Sequence, residues 1–142
     1  MSNQSKNKVK LDKEFRKIGV IPKVAMKKIN EYFSIPSDAT TIRSNLINVL
    51  KHNEGHLKTI ESALDELGIT KESYAEYIAS KYNQIRLGNQ PKSIVLAVKT
   101  GETSHIAAAH LLYDKNENFW LIKSVHVARL KQLEKMILIW EK

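Results

Sequence analysis

Hydrophobic positions change their period partway along the chain. From Pro22 to Tyr82 they recur three and four residues apart, the spacing of one helix face. Pro22 suits the first position of a helix reaching Tyr32 or Phe33, with Val24, Ile29, Tyr32 and Phe33 on its apolar side. Ser37 or Asp38 can cap a second helix carrying Ile42, Leu46, Val49 and Leu50. A third runs from His56 through Leu57, Ile60 and Leu64 to Leu67 and stops at Gly68. Tyr74, Tyr77, Ile78 and Tyr82 define a fourth. Upstream, Asp12 to Ile18 predicts a short helix that ends at Gly19.

After Gly88 the segments become β-branched and turn-bounded. Ser93 to Lys99, Ser104 to Tyr113 and Phe119 to Val127 read as strands, and Met136 to Trp140 as a last one. The expected fold class is α+β, with N-terminal helices packed on a four-stranded antiparallel β-sheet, a meander, in the C-terminal half. Residues 1–10 are expected to be a disordered basic tail, 11–51 a helical N-terminal region and 52–142 an α+β domain.

Strict alternation along Phe119 to Val127 puts Trp120, Ile122, Ser124 and His126 on one face. Phe119, Leu121, Lys123 and Val125 take the other, and only a bulge near Lys123 would bring it beside Ser124. In the preceding strand His105, Ala107, Ala109 and Leu111 lie opposite Ile106, Ala108 and His110. The run Ala107 to Ala109 leaves room near the sheet for a helix or a ligand.

At 142 residues with 42% apolar content, the chain is long enough for one domain with a packed core. It has no cysteine, which excludes disulfides, a thiol nucleophile and cysteine-ligated metals and fits a reducing cytosol, so a cytoplasmic location is expected. No apolar run is long enough for a transmembrane helix, the polar residues Met1 to Lys10 do not resemble a secretory signal, and no membrane partner is expected.

The formal charge is +8, and the N-terminal quarter carries most of the excess: nine Lys or Arg against three acids between Met1 and Phe33. Such a balance favours anionic partners. Lys27 and Lys28 belong to this region, as part of a phosphate-binding arm or of a solvated helix face.

The chemistry-bearing residues narrow the choice. His52 and His56 are four apart, but Glu does not directly follow the first His and no third ligand is apparent, so neither metal nor other cofactor is expected. There is no GxGxxG, Walker loop or Gly-x-Ser-x-Gly elbow. Metal-free RNA cleavage needs less: a base for the 2′-hydroxyl, an acid for the leaving 5′-oxygen and cations for the phosphorane. His56, His105, His110 and His126 suit the proton roles, and Arg86, Lys123 and Arg129 the third. Ser124 or Thr100 can donate to phosphate oxygens. His105 and His110 also read as ordinary strand residues, and the tryptophans and tyrosines as core.

The order of these features resembles a known family. Gly55-His56-Leu57 opens a helix, and Asn83-Gln84-Ile85-Arg86 precedes an apolar strand. Lys123-Ser124, His126 and Arg129 end a later strand, and Ile137 to Glu141 closes the chain. Residues 53–142 are similar in this to the phage-borne barnase-like endoribonucleases of the barnase/colicin/RelE toxin group. The resemblance implies RNA bound on an open sheet face, His56 as a helix-borne acid or base, and Arg86 and Lys123 as phosphate contacts. Ser124 and His126 would be the strand-end polar pair. Arg129, and on charge alone Lys27 and Lys28, which lie outside the resemblance, are expected as further phosphate or RNA contacts. It also implies RNA such as tRNA as substrate, and a protein inhibitor or immunity partner. The function expected is a toxin-like, metal-independent endoribonuclease. The alternative is a non-catalytic nucleic-acid- or protein-binding module of phage or mobile-element origin.

Overall fold

The computed structural model describes residues 15–44, 57–70 and 73–142. Along the chain come β1 (Arg16–Val20), α1 (Lys23–Asn30), β2 (Thr41–Ser44), α2 (Leu57–Leu67), α3 (Tyr74–Lys81) and β3 (Gln84–Leu87). Then follow β4 (Ser93–Lys99), β5 (Thr103–Asp114), β6 (Glu117–Arg129), α4 (Leu130–Glu134) and β7 (Leu138–Glu141). The expected tail at 1–10, His52 and His56, and Leu46, Val49 and Leu50 lie outside the described residues.

The four-stranded antiparallel meander is overturned. The strands form one seven-stranded sheet in the order β1-β2-β6-β5-β4-β3-β7. It is mixed, because β2 runs parallel to β6 while the other pairs are antiparallel. Three of the expected strands are present as β4, β5 and β6, joined by tight hairpins. The last strand pairs with β3, not with its sequence neighbour β6.

The expected N-terminal helices are corrected as well. Residues 16–20 form an edge strand, and Gly19 is no helix stop. A Cβ there would sit 2.8 Å from the Ala79 carbonyl oxygen, so glycine lets β1 lie against α3. Residues 41–44 form β2, in which Ile42 pairs with Trp120 and is fully buried. The Trp120 indole Nε1 donates to the Ala39 carbonyl at 2.8 Å and pins the entry to that strand. A four-residue segment takes the conformation of the ladder it joins, whatever its own apolar spacing suggests.

The core lies between the inner face of the sheet and α1, α2 and α3. Ile94, Leu96, Ala107, Ala109, Trp120 and Ile122 project inward to meet Ile29 of α1, Leu64 of α2 and Tyr74 and Ile78 of α3. The sheet curls around these helices. Six strand spacings would hold the edges of a flat sheet about 29 Å apart. Tyr82 nevertheless reaches both edges. Its hydroxyl donates to the Val20 carbonyl of β1 at 2.6 Å, and its ring meets Trp140 of β7 with centroids 5.9 Å apart.

The outer face is only partly covered. Leu133 of α4, with Met136 beyond it, packs on Val95, Ala97, Ile106 and Ala128. In the neighbouring part of β5 and β6, Ala108, His110, Ser124 and His126 are half-buried, while Phe119 and Leu121 are buried. Among the described residues, no helix is long and apolar enough to cross a membrane.

Candidate functional site on the outer sheet face

The β5–β6 ladder advances one residue for one from Asp114 opposite Glu117 to Ala109 opposite Ile122. The next pair is Ala108 opposite Ser124, so Lys123 is an extra residue and β6 is bulged there. The strict alternation expected for this strand is therefore corrected. Trp120 and Ile122 point inward before the bulge, and Val125 points inward after it. Phe119 and Leu121 point outward before it, and Ser124 and His126 after it, since they pair with the outward residues Ala108 and Ile106. Burial drives the arrangement: Val125 takes the core position that strict alternation would have assigned to Ser124.

One outward strip results. Its centre is the Ala108–Ser124 pair. His110 lies two residues further along β5 and His126 two residues further along β6, in opposite directions because the strands are antiparallel. Each stands about 7 Å from the central pair by strand rise. Ala108, His110, Lys123, Ser124 and His126 are all half-buried. Burial lowers the His110 pKa from its ordinary value of 6.5, and the Lys123 charge lowers it further.

An ion pair bounds one end of the strip. Arg43 Nη2 donates to both carboxylate oxygens of Glu117 at 3.0 Å, and Nη1 donates to the Phe15 carbonyl at 2.9 Å. The guanidinium lies 5.4 Å from the Phe119 ring centre. The other end meets the part of the sheet covered by α4.

The remaining expected site residues lie elsewhere. Arg86 shares a cross-sheet row with Val95, Ala108 and Ser124, but it is only 7% exposed. Its Nε donates to Gln84 Oε1 at 3.0 Å and its Nη1 to the Met136 carbonyl at 2.8 Å, which ties β3 to the chain after α4. Arg129 is exposed at the end of β6, and its backbone N–H donates to Gln132 Oε1 across the start of α4. Lys27 and Lys28 are exposed on α1, across the sheet from the strip. His56 is not among the described residues. Thr100 closes a hairpin turn by donating to the Thr103 carbonyl at 3.3 Å.

His105 points inward and is buried. Its Nδ1 is 2.8 Å from the Tyr74 hydroxyl, and the rings of Tyr74 and Tyr77 stand edge-on to it. Burial lowers its pKa, and Glu66 partly opposes the shift. The structure thus gathers Lys123, Ser124 and His126, adds His110, and removes His105 to the core. Among the described residues, no group of three or more His, Asp or Glu is placed to hold a metal ion.

No protein-family model, curated protein or solved structure matches this chain.

Proposed function

We propose that this chain is a metal-independent endoribonuclease whose reaction runs on the outward strip of β5 and β6. The observation that carries the reading is the bulge at Lys123, which sets Ser124 and His126 on the same face as His110. In-line displacement at phosphorus puts the attacking and leaving oxygens on opposite sides, so its base and acid must flank the phosphate. His110 and His126 flank the Ala108–Ser124 pair in that manner.

In this mechanism neutral His110 takes the proton from the ribose 2′-hydroxyl. Its lowered pKa keeps it unprotonated at neutral pH. The 2′-oxygen forms a bond to phosphorus as the bond to the 5′-oxygen breaks, and His126 in its protonated form gives that oxygen a proton. The products are a 2′,3′-cyclic phosphate end and a free 5′-hydroxyl. The Lys123 ammonium and the Ser124 hydroxyl donate to the non-bridging oxygens, where charge develops in the transition state.

The test is incubation of the purified protein with tRNA and with total RNA in excess EDTA, with the new ends identified. Cyclic phosphate ends that disappear in His110→Ala and His126→Ala support the reading. RNA that is bound but left intact refutes it and favours the non-catalytic module.

A further inference from the structure

Helix α1 has two unlike sides. Ala25, Met26 and Ile29 are buried in the core. Lys23, Val24, Lys27 and Lys28 face solvent, with Val24 63% exposed. Val20 just before the helix is 52% exposed and Tyr32 just after it 45%. None of the three lysines takes part in the ion pairs Arg16–Glu76 and Arg43–Glu117. The only acid between Lys23 and Tyr32 is Glu31.

Helix stability accounts for part of this. Cations in the last turn suit the helix dipole, which explains Lys27 and Lys28. It does not explain Lys23, which sits in the first turn where a cation is unfavourable. Nor does it explain two valines and a tyrosine left in water beside the charges.

We infer that α1 carries a second surface for single-stranded nucleic acid, in which Lys23, Lys27 and Lys28 contact the phosphate backbone and Tyr32 stacks on a base. Lys23 and Lys27 are one turn apart, about 6 Å along the helix. A row of unpaired ammonium groups ending at an exposed aromatic ring is the combination that holds single strands without base readout. A membrane is the poorer partner, because the apolar side of α1 is already used in the core. The surface lies across the sheet from the β5–β6 strip, so it binds whether or not the strip cleaves.

The experiment uses a 2′-O-methyl single-stranded oligonucleotide, which lacks the attacking hydroxyl and separates binding from cleavage. Affinity is measured across a salt series for the unmodified chain, for Lys23→Gln/Lys27→Gln/Lys28→Gln, and for a control of equal charge change, Lys92→Gln/Lys115→Gln/Lys135→Gln. Thermal melting checks that each variant is folded. Losing three phosphate contacts should flatten the slope of log affinity against log salt by about 2. Tyr32→Ala should weaken binding by tenfold or more while leaving that slope unchanged. An equal loss in the control, or an unchanged slope in the α1 variant, overturns the proposal; an acidic protein partner for α1 would give the second result.

Discussion

Ser124 stands opposite Ala108 in the β5–β6 ladder, one position out of step with every pair between there and the hairpin turn. The offset is one residue, Lys123. Removing Lys123 would close the ladder to regular alternation with Ile122 still inward and Ser124 still outward. The deletion variant should therefore fold and melt close to the parent chain. Its RNA cleavage should fall by about a hundredfold or more, as should that of Lys123→Ala, because the cation beside the phosphate is gone. A deletion variant that cleaves normally would remove Lys123 from the mechanism.

The rate should depend on pH through His110. Burial, then Lys123, lowers its pKa below 6.5, so the base-limited arm of the profile should have its midpoint below that value. Lys123→Ala removes a cation that disfavours the imidazolium, so the His110 pKa should rise and the arm should shift to higher pH. Proton NMR titration of the His110 ring measures the same shift without reference to activity. No movement in either readout would contradict the electrostatic influence of Lys123 on His110.

Stability should fall in mild acid because of His105. Its pKa is lowered in the folded chain, first by burial, against 6.5 when unfolded. Above that unfolded value both states are neutral and the contribution is complete. As pH drops below it, the unfolded chain takes up the proton first, and stability declines until pH passes the folded pKa. Denaturant midpoints compared at about pH 7.5 and about pH 5.5 should show the loss. His105→Gln should flatten it, leaving a smaller slope of the same sign from half-buried His110.

Tyr82 joins the two edges of the sheet, so its substitutions should separate a hydrogen bond from a packing contact. Burial raises the pKa of its hydroxyl to about 12, so it remains a proton donor to the Val20 carbonyl throughout the neutral range. Tyr82→Phe should cost about 1 kcal/mol. Tyr82→Ala also loses the edge-on contact with Trp140 and should cost about 3 kcal/mol or more. Urea unfolding of both variants gives the comparison, and equal losses would assign the whole effect to the ring.

Three of the four functional side chains of the candidate site could be read along a single run of chain. Lys123, Ser124 and His126 are close in sequence, and their types suit phosphate chemistry. Whether they share a face depends on the β5 partner, which no local pattern contains. A trace of the bulge is nevertheless present: the inward apolar positions Trp120, Ile122 and Val125 are spaced two and then three apart, and that lengthened step marks the inserted residue. His110 is harder to recognise, because it comes to the same face as Ser124 and His126 only through the hairpin pairing of two long strands. Arg86 illustrates the converse. Its type suits a phosphate contact, yet the return of the chain after α4 covers it.

By itself the sequence determined α1, α2, α3 and the long strands β4, β5 and β6, because their periodicity and their turn and cap residues act over short distances. Tertiary structure alone decided β1, β2 and β3, the parallel pairing of β2 with β6, and the place of β7 beside β3. Segments of four or five residues hold too little local preference to choose a conformation, and they become strands when a neighbouring ladder satisfies their backbone groups. The same holds for the site. The residue types belong to the sequence, but the face they share is a property of the register between two strands.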